Sequence, residues 1–549
     1  SDGPSCLVVN PEVIRQWTQN GTPVRDLASA ATSGFQNLLI HAVRPDPFHS
    51  ELLRCLTGNR LQRVQEAPGS ESSFEIAPDS RDVCGAFAGL SLSGVKSAND
   101  RVFGGGGGTR NLITVGGEPF FATIPVGNST VFLLGSEDVA DIDAEAEDDW
   151  LAALFSGFVP HAMALRAIFG EQSWRPARSY ASVIVDDPLL RSRYGFLEFE
   201  ELIQLMARHR FSTTLAFIPH NFRRSSPRVV RLFRNQSDRL SLCYHGNDHT
   251  DAEFAASDPA QLNTMIRSAE GRIAQHCATT GLRCDRIMIF PQGKFSTEAM
   301  AVLRSANFEA AVNTTPHPWR QQVRLTLREL AQPAVLRYAG FPLFLRTNSL
   351  RMQDPDIAVR LFFGIPIFIG EHHDIFEDPR CLLDAVNRIN RAAPEIRWAG
   401  AGAAVRGSVL HRRDANGCLH VKAYAGTVRV EPPSDRREQI VIHWSDRGQN
   451  LGIADVWQNG EPCPSFESNG YETSVAAILE PSIAEEFSLR FRPTHRIYAA
   501  IGLRYSIRAF IRRRLSEIRD NYISRNPRLL QTARALQRCV PQFNPRLQR

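Results

Sequence analysis

The stretch Ser-Leu-Cys-Tyr-His-Gly-Asn-Asp-His-Thr-Asp at residues 241–251 decides how the rest of the chain is interpreted. It begins as a short apolar run typical of a buried strand and then places His245 and His249 four residues apart. Gly246 lets the backbone turn sharply, and the Asn, Asp and Thr around it are typical turn residues. Because two imidazoles at this spacing can face one point, the stretch predicts a metal-binding loop at a strand end.

A second strand end contains the carboxylates that such a site needs. Residues 182–188, Ser-Val-Ile-Val-Asp-Asp-Pro, lead from a strand-like run into Asp186 and Asp187 and stop at Pro188, which cannot continue a central strand. A divalent metal bound by two imidazoles normally takes a carboxylate as its third protein ligand and keeps one position open. Because the two carboxylates are adjacent, we expect them to have different roles, one binding the cation and the other accepting a proton from water.

Four stretches, each at or just after an apolar run, follow one another in the central part of the chain: Val-Ile-Val-Asp-Asp at 183–187, His-Gly-Asn-Asp-His at 245–249, Phe-Pro-Gln-Gly at 290–293 and Ile-Phe-Ile-Gly-Glu-His-His-Asp at 367–374. In this order they resemble the motifs of the polysaccharide deacetylase (NodB-homology) family, over roughly residues 180–398. Members of that family are metal-dependent carbohydrate esterases built on a distorted (β/α) barrel. The resemblance therefore implies this fold and a carbohydrate deacetylase activity.

The resemblance also implies roles for particular residues. Asp187, His245 and His249 would bind the metal, Asp186 would be the general base and His373 the general acid.

The remaining implied residues contact the substrate. They include the turn formed by Pro291, Gln292 and Gly293, which would lie beside the substrate, with the backbone N–H of Gln292 near the oxyanion. His372 competes with His373 for the acid role. Asp374, which follows, favours His373, but strand alternation does not decide between the two.

The sequence departs from the family pattern at two points. The family has an Arg two residues before the Pro of its third motif, where this chain has Ile289, and an Asp and Trp pair that orients the catalytic His is not found near residues 308–316. These departures support a second hypothesis, a catalytically silent relative that binds a glycan. A third hypothesis is a hydrolase of the same scaffold that acts on a non-sugar amide or ester.

The favoured reaction is hydrolysis of an N-acetyl, or alternatively O-acetyl, group on a polysaccharide or amino-sugar oligomer. The implied cofactor is a divalent metal, and zinc is the default for two imidazoles and one carboxylate, although Fe, Co, Ni or Mn fit the same ligands. The net charge of +5 over 549 residues is too small to indicate a nucleic-acid partner.

Length and pattern predict an α/β multidomain protein. We expect an N-terminal α/β domain at residues 1–165, the barrel at 175–400, a β-sandwich at 401–495 and a basic helical tail at 496–549. The ten scattered cysteines, without a C-x-x-C pair, favour reduced thiols and a cytoplasmic setting, or a periplasmic or secreted one if a leader has been removed.

The tail has two interpretations. Arg504, Arg508 and Arg512 share one helical face. The helix either packs its apolar stripe on the preceding domain and leaves the arginines solvated, or it binds a membrane surface or another anionic partner. The apolar residues of the stripe are Ile501, Leu503, Ile507, Phe510, Ile511 and Leu515.

Overall fold

Seven parallel strands close into a barrel at the centre of the chain. A computed structural model describes residues 3–19, 21–69, 73–93, 99–105, 107–146, 150–432, 436–445, 453–491, 497–526 and 528–529. In chain order the barrel strands are Tyr180–Asp186, Thr213–Phe217, Leu240–His245, Asp285–Ile289, Ala310–Asn313, Leu343–Thr347 and Ile367–His372. The first strand pairs in parallel with both the second and the seventh, which closes the ring. The predicted (β/α) barrel is therefore confirmed.

Helices surround the barrel because each connection between parallel strands must cross back along the outside. The main ones are Phe199–His209, Pro227–Asn235, Pro259–Thr280, Thr297–Ser305, Asp354–Phe363 and Arg380–Ala392. The ends of the helix Pro259–Thr280 follow the capping rules. The Asp258 side chain accepts a hydrogen bond from the N–H of Ala260, and Gly281 ends the same helix with a φ of 67°.

Alternate strand residues point into the barrel, where Ile184, Cys243 and Phe344 share one core with the helix Ala401–Gly407, which packs at the amino ends of the strands. The next inward positions along the same strands, at their carboxyl ends, are Asp186, His245 and Arg346. Strand periodicity therefore brings an acid, an imidazole and a guanidinium to the mouth of the barrel, where the chemistry of barrel enzymes gathers.

The N-terminal part forms a seven-stranded mixed sheet. Its strands, in spatial order, are Cys6–Val9, Asn37–Ile40, Ser129–Leu134, Glu118–Val126, Arg110–Val115, Phe74–Ile76 and Ser91–Leu92. The strands Leu61–Glu66 and Arg101–Gly105 pair separately, and the helices are Pro11–Gln19, Val24–Gly34, Pro47–Leu56 and Trp150–Phe169. Phe87 packs on Phe362 of a barrel helix, with ring centroids 5.9 Å apart, so this sheet and the barrel share an apolar core.

The C-terminal part contains two sheets that share a core, as a sandwich requires. One contains Arg175–Pro176, Leu410–Arg413, Leu419–Ala423, Glu438–Ser445, Glu472–Leu479 and Glu467–Ser468, and the other contains Thr427–Val430, Glu485–Phe491, Ile453–Gln458 and Glu461–Pro462. The sequence did not predict Glu472–Leu479, the central partner of Glu438–Ser445. The four domain boundaries stay predictions.

The C-terminal helix Leu503–Ile518 and the π-helical turn Arg519–Ile523 lie across the barrel mouth. The expectation that its apolar stripe packs on the preceding domain is wrong, because Ile507 and Ile511 are each 51% exposed while Arg513 is only 2% exposed. The face turned inward contacts polar loops of the barrel through Tyr505 and Asp520. The rest of the predicted tail, apart from residues 528–529, lies outside the described residues.

Two further observations bear on the setting of the protein. The nine cysteines of the described residues are free thiols, while Cys539 lies outside them. Within the described part of the chain, helices long and apolar enough to cross a bilayer are not found. The cytoplasmic setting stays a prediction.

Candidate active site

The predicted metal ligands converge at the barrel mouth. One potential ligand atom from each of Asp187, His245 and His249 lies within 4.8 Å of the other two. Asp187 Oδ1 is 3.5 Å from His245 Nε2 and 3.2 Å from His249 Nε2. Asp187 Oδ1 and His245 Nε2 are buried and make no hydrogen bond within the described structure. Since buried polar atoms are normally paired, such convergent unpaired atoms fit a divalent cation.

The backbone at two of the predicted ligands adopts a conformation that non-glycine residues rarely take. Asp187 has a φ of 78° and His249 a φ of 57°. Such angles cost free energy and persist where the surrounding structure imposes them, which is common at functional sites. Here they turn both side chains toward His245.

Hydrogen bonding and burial leave both imidazoles suited to ligation. His245 Nδ1 lies 3.1 Å from the carbonyl oxygen of Ile289, so an N–H at Nδ1 would donate to that oxygen and leave Nε2 free for the cation. Burial, which the negative charge of Asp187 opposes, lowers the pKa of His249 to about 4. His249 is therefore neutral near pH 7, as a metal ligand must be.

Glu253 organises the loop that holds the two histidines. Its buried carboxylate accepts backbone N–H bonds from Asn247 at 2.7 Å, from Asp248 and Thr250 at 3.2 Å each and from His249 at 3.3 Å. A Cβ at Gly246 would overlap this carboxylate and the ring of Pro291, so only glycine fits there. The glycine between the histidines thus allows a close approach, and Pro291 packs against the loop.

The predicted base, Asp186, pairs with Arg346 from the sixth barrel strand. Arg346 Nη1 and Nη2 donate to the two carboxylate oxygens at 2.8 and 2.5 Å, and both side chains are less than a tenth exposed. Burial raises the pKa of Asp186, but the charges of Arg346 and His245 outweigh it, so the pKa of this carboxyl is lowered. A Cβ at Gly370 would lie 2.7 Å from Arg346 Cδ, which explains that glycine.

The predicted acid, His373, is surrounded by polar groups, some of which come from the C-terminal turn. Its Nε2 is 3.6 Å from Asp520 Oδ1, and Tyr194, packed edge-on against its ring, donates a hydrogen bond of 2.8 Å to Asp520 Oδ2. Gly195 lies against the ring and donates its N–H to Asn521 Oδ1. His372 is exposed, while His373 is buried. The surroundings therefore favour His373 as the proton donor, and this role stays a prediction.

The turn at residues 291–293 follows the fourth barrel strand. Gln292 has a φ of 59° and an exposed side chain. The carbonyl oxygen of Gly293 accepts hydrogen bonds from Asn313 Nδ2 at 3.0 Å and from Thr315 Oγ1 at 3.1 Å. Asn313 and Thr315, in the region where the family pattern has an Asp and Trp pair, thus hold the turn by hydrogen bonds. The oxyanion role of the Gln292 N–H stays a prediction.

Sequence reasoning missed four residues of this site: Tyr194, Glu253, Arg346 and Asp520. A signal existed for Arg346 alone, because it lies two residues after Phe344 in an apolar strand and so on the inward face. Nothing in the sequence indicates that Asp520, some 150 residues after His373, returns to the mouth of the barrel.

A second cluster of metal-ligand types, Glu12, Asp46 and His49, does not fit a cation. Arg15 binds Asp46 at 2.5 Å, and Arg44 lies 3.4 Å from Glu12. Asp46 also caps a helix by accepting the N–H of His49. The carboxylates of this second cluster already have cationic partners, unlike Asp187.

Comparisons with known proteins place this geometry in context. Protein-family models and curated proteins give no match to the sequence. Among solved structures, Agd3, described as a novel carbohydrate deacetylase, matches with a TM-score of 0.45 and 10% identity over 86% of this chain and 87% of that chain. The chain is similar in structure to carbohydrate deacetylases.

Two further structures cover less of the chain. A family 4 carbohydrate esterase from Streptomyces lividans matches 40% of this chain and 91% of its own, with a TM-score of 0.25 and 13% identity. A CE4 family pseudoenzyme from Bacillus anthracis matches 40% of this chain and 64% of its own, with a TM-score of 0.25 and 8% identity. The similarity concerns the fold, so the residues of this chain must carry the functional argument.

Proposed function

We propose that the protein is a metal-dependent hydrolase that removes acetyl groups, N-acetyl groups first of all, from a polysaccharide or amino-sugar oligomer. The observation that carries this proposal is the convergence of Asp187, His245 and His249 at the barrel mouth, beside the buried and ionised Asp186. A metal site with an adjacent ionised carboxylate and a separate imidazole contains the groups that metal-assisted amide hydrolysis requires.

Each residue has a defined task in this reaction. A divalent metal bound by Asp187, His245 and His249, with zinc the best fit to these ligands, would polarise the acetyl carbonyl and lower the pKa of water. Asp186 accepts the proton of the attacking water, because Arg346 holds it in the ionised form. His373 donates a proton to the leaving nitrogen, and the N–H of Gln292 donates to the oxyanion.

The test combines metal analysis with acetate release. We expect the zinc-reconstituted protein to bind one metal ion and to release acetate from N-acetylglucosamine oligomers faster than from O-acetylated xylan or a simple aryl acetate. A preference for the aryl acetate would favour the non-sugar hydrolase. Stoichiometric metal with sugar binding and no turnover on any substrate would contradict the proposal and favour the silent relative.

Asp520 is proposed as the residue that positions His373. We expect Asp520→Ala to lower kcat by about 10–100-fold while KM and metal content stay unchanged, because the carboxylate lies beside the proposed proton donor His373 and is held there by Tyr194 and Arg519. Asp520→Glu should restore part of the rate. Asp374→Ala, on an exposed carboxylate next to His373 in sequence, is the control and should keep wild-type kcat. If Asp520→Ala and Asp520→Glu lose kcat to the same extent, and both also lose thermal stability, the role of Asp520 is merely structural.

We further propose that the outward face of the C-terminal helix binds an anionic membrane surface. Leu503, Ile507 and Leu515 on this face are 76%, 51% and 61% exposed. They lie between Arg504, Arg508 and other arginines of the same helix. Exposed Leu and Ile with interspersed arginines fit acyl chains and lipid phosphates.

Vesicle co-sedimentation tests the membrane proposal. We expect binding to phosphatidylglycerol vesicles that falls with added salt and weak binding to phosphatidylcholine vesicles, since each arginine near an anionic surface contributes about 1 kcal/mol. Ile507→Asp with Ile511→Asp should abolish binding, whereas the control Ile478→Asp, on the sandwich, should not. Equal binding to both kinds of vesicle, or none, would refute the proposal.

A further inference from the structure

Arg513 is the one arginine of the C-terminal helix that points into the protein. It is 2% exposed, whereas its neighbour Arg514 keeps half of its side chain exposed. Its Nε and Nη2 atoms are buried and have no hydrogen-bond partner within the described residues. A buried guanidinium with unpaired donors is costly, so such a group normally has an anionic partner.

The contacts of the same helical face locate Arg513 over the candidate active site. Two helical turns before it, the Tyr505 hydroxyl lies 3.1 Å from Thr250 Oγ1, next to the ligand His249. About two turns after it, Asp520 approaches His373. Because residues 505, 509, 513 and 520 share the inward face, Arg513 lies between the histidine loop and the proposed acid.

The acidic groups nearest to Arg513 along the chain are already engaged. Glu517, one turn further on, forms a two-pronged ion pair with Arg224. Asp520 binds Tyr194 and Arg519. Arg513 also adds its positive charge to the surroundings of Asp187 and His249. With a divalent cation at the ligands, this corner of the site would carry an excess of positive charge and would favour an anionic ligand.

We propose that Arg513 binds a carboxylate of the substrate, so that the preferred substrate is an acetylated sugar acid rather than a neutral acetylated sugar. The inference rests on the proposed deacetylase function and names the class of sugar on which it acts. A guanidinium recognises a carboxylate by two parallel N–H bonds, and Nε and Nη2 are the pair that makes this fork.

A matched pair of sugars isolates the carboxylate. N-acetylglucosaminuronic acid differs from N-acetylglucosamine only at C6, which is a carboxylate in the former. Titration calorimetry with the metal-free protein measures binding without turnover. We expect the wild type to bind the acid at least about 10-fold more tightly than the neutral sugar, and Arg513→Met to lose this preference, since a hydrogen-bonded charged pair contributes a factor of about 10–100.

Control variants separate this role from folding. Arg513→Met keeps the length of the side chain, and Arg513→Lys should keep part of the preference because it keeps the charge. Arg514→Met removes an exposed arginine from the same helix and should bind both sugars like the wild type. Far-ultraviolet circular dichroism and metal content should be unchanged in all three.

The outcomes distinguish the two proposals. Equal binding of both sugars by the wild type, or a preference that survives in Arg513→Met, overturns the role of Arg513. Free acetate that binds as tightly as the sugar acid and loses binding in Arg513→Met would assign the site to the product and overturn the sugar-acid assignment. An acid preference in binding without acetate release from either sugar by the zinc-loaded protein supports Arg513 and overturns the deacetylase function alone.

Discussion

Asp187→Ala is expected to abolish both metal binding and acetate release. The substitution removes the only carboxylate from the candidate ligand set and leaves two imidazoles, which are too few to hold a catalytic divalent metal with one position open. We expect the metal content to fall from one ion per chain to near zero and kcat/KM to fall on the order of 10³-fold or more. Metal analysis after dialysis and an acetate assay measure the two quantities.

The second cluster of ligand types provides the control for this prediction. Glu12→Gln removes a carboxylate from the cluster whose acids are paired with arginines, so metal content and activity should stay at the wild-type level. If Asp187→Ala keeps the metal and Glu12→Gln loses it, the ion binds at the second cluster, and the prediction is contradicted. Wild-type protein that binds no zinc after reconstitution would remove the basis for the whole site.

Arg346→Gln is expected to cause the largest loss of stability among single substitutions at the site. It leaves the Asp186 carboxylate buried without its cationic partner, and breaking a buried ion pair in this way costs about 3–5 kcal/mol. With burial no longer opposed by the guanidinium, the pKa of Asp186 should rise, and the proposed base would be protonated at a higher pH. Urea unfolding and the pH dependence of kcat/KM test both effects.

The sign of the pH dependence follows from the direction of the shift. In the wild type the pKa of Asp186 is lowered on folding, so its contribution to stability is present above the unfolded pKa of about 3.9 and is lost as the pH falls through the lower folded value. In Arg346→Gln that contribution is missing. The difference in unfolding free energy between the two proteins should therefore be large at pH 7 and shrink in acid.

A surface pair of the same residue types provides the control. Arg328 binds Asp143 through two hydrogen bonds with both side chains more than half exposed, so Arg328→Gln should change the unfolding free energy far less than Arg346→Gln does. The double variant Asp186→Leu with Arg346→Met should recover stability without activity, because two apolar groups replace the pair. A loss for Arg346→Gln no larger than that for Arg328→Gln would contradict the buried pairing.

Arg346 and Asp520 also bear on the departures from the family pattern. The chain has Ile289 where the family has an Arg, yet a guanidinium from another strand binds the proposed base. It has Asn313 near the expected Asp and Trp pair, yet a carboxylate from the C-terminal turn approaches the proposed acid. The Arg and the Asp whose absence from the motifs supported a silent relative therefore have counterparts of the same charge from other parts of the chain.

The sequence by itself determined the barrel and the strand ends, and it predicted the candidate metal ligands that the structure brings together. Strand periodicity and turn residues are local properties, so Asp186, Asp187, His245 and His249 could be placed at the mouth from their own neighbourhoods. The order of four motifs then indicated the kind of barrel. The same strand periodicity could also have placed Arg346 on the inward face of its strand, but Arg346 belongs to none of the four motifs.

Only the tertiary structure decided which groups surround the ligands and which face of the C-terminal helix is buried. Asp520 and Arg513 lie far along the chain from the histidines, and contacts over such distances leave no periodic trace in the sequence. The amphipathic pattern of the helix left two interpretations open, a buried apolar stripe or a surface for an anionic partner, and the structure leaves the apolar residues exposed and turns polar groups toward the mouth of the barrel. A helix buries the face that its docking site can satisfy, and here Tyr505, Glu517 and Asp520 find polar partners on the barrel while the leucines stay exposed.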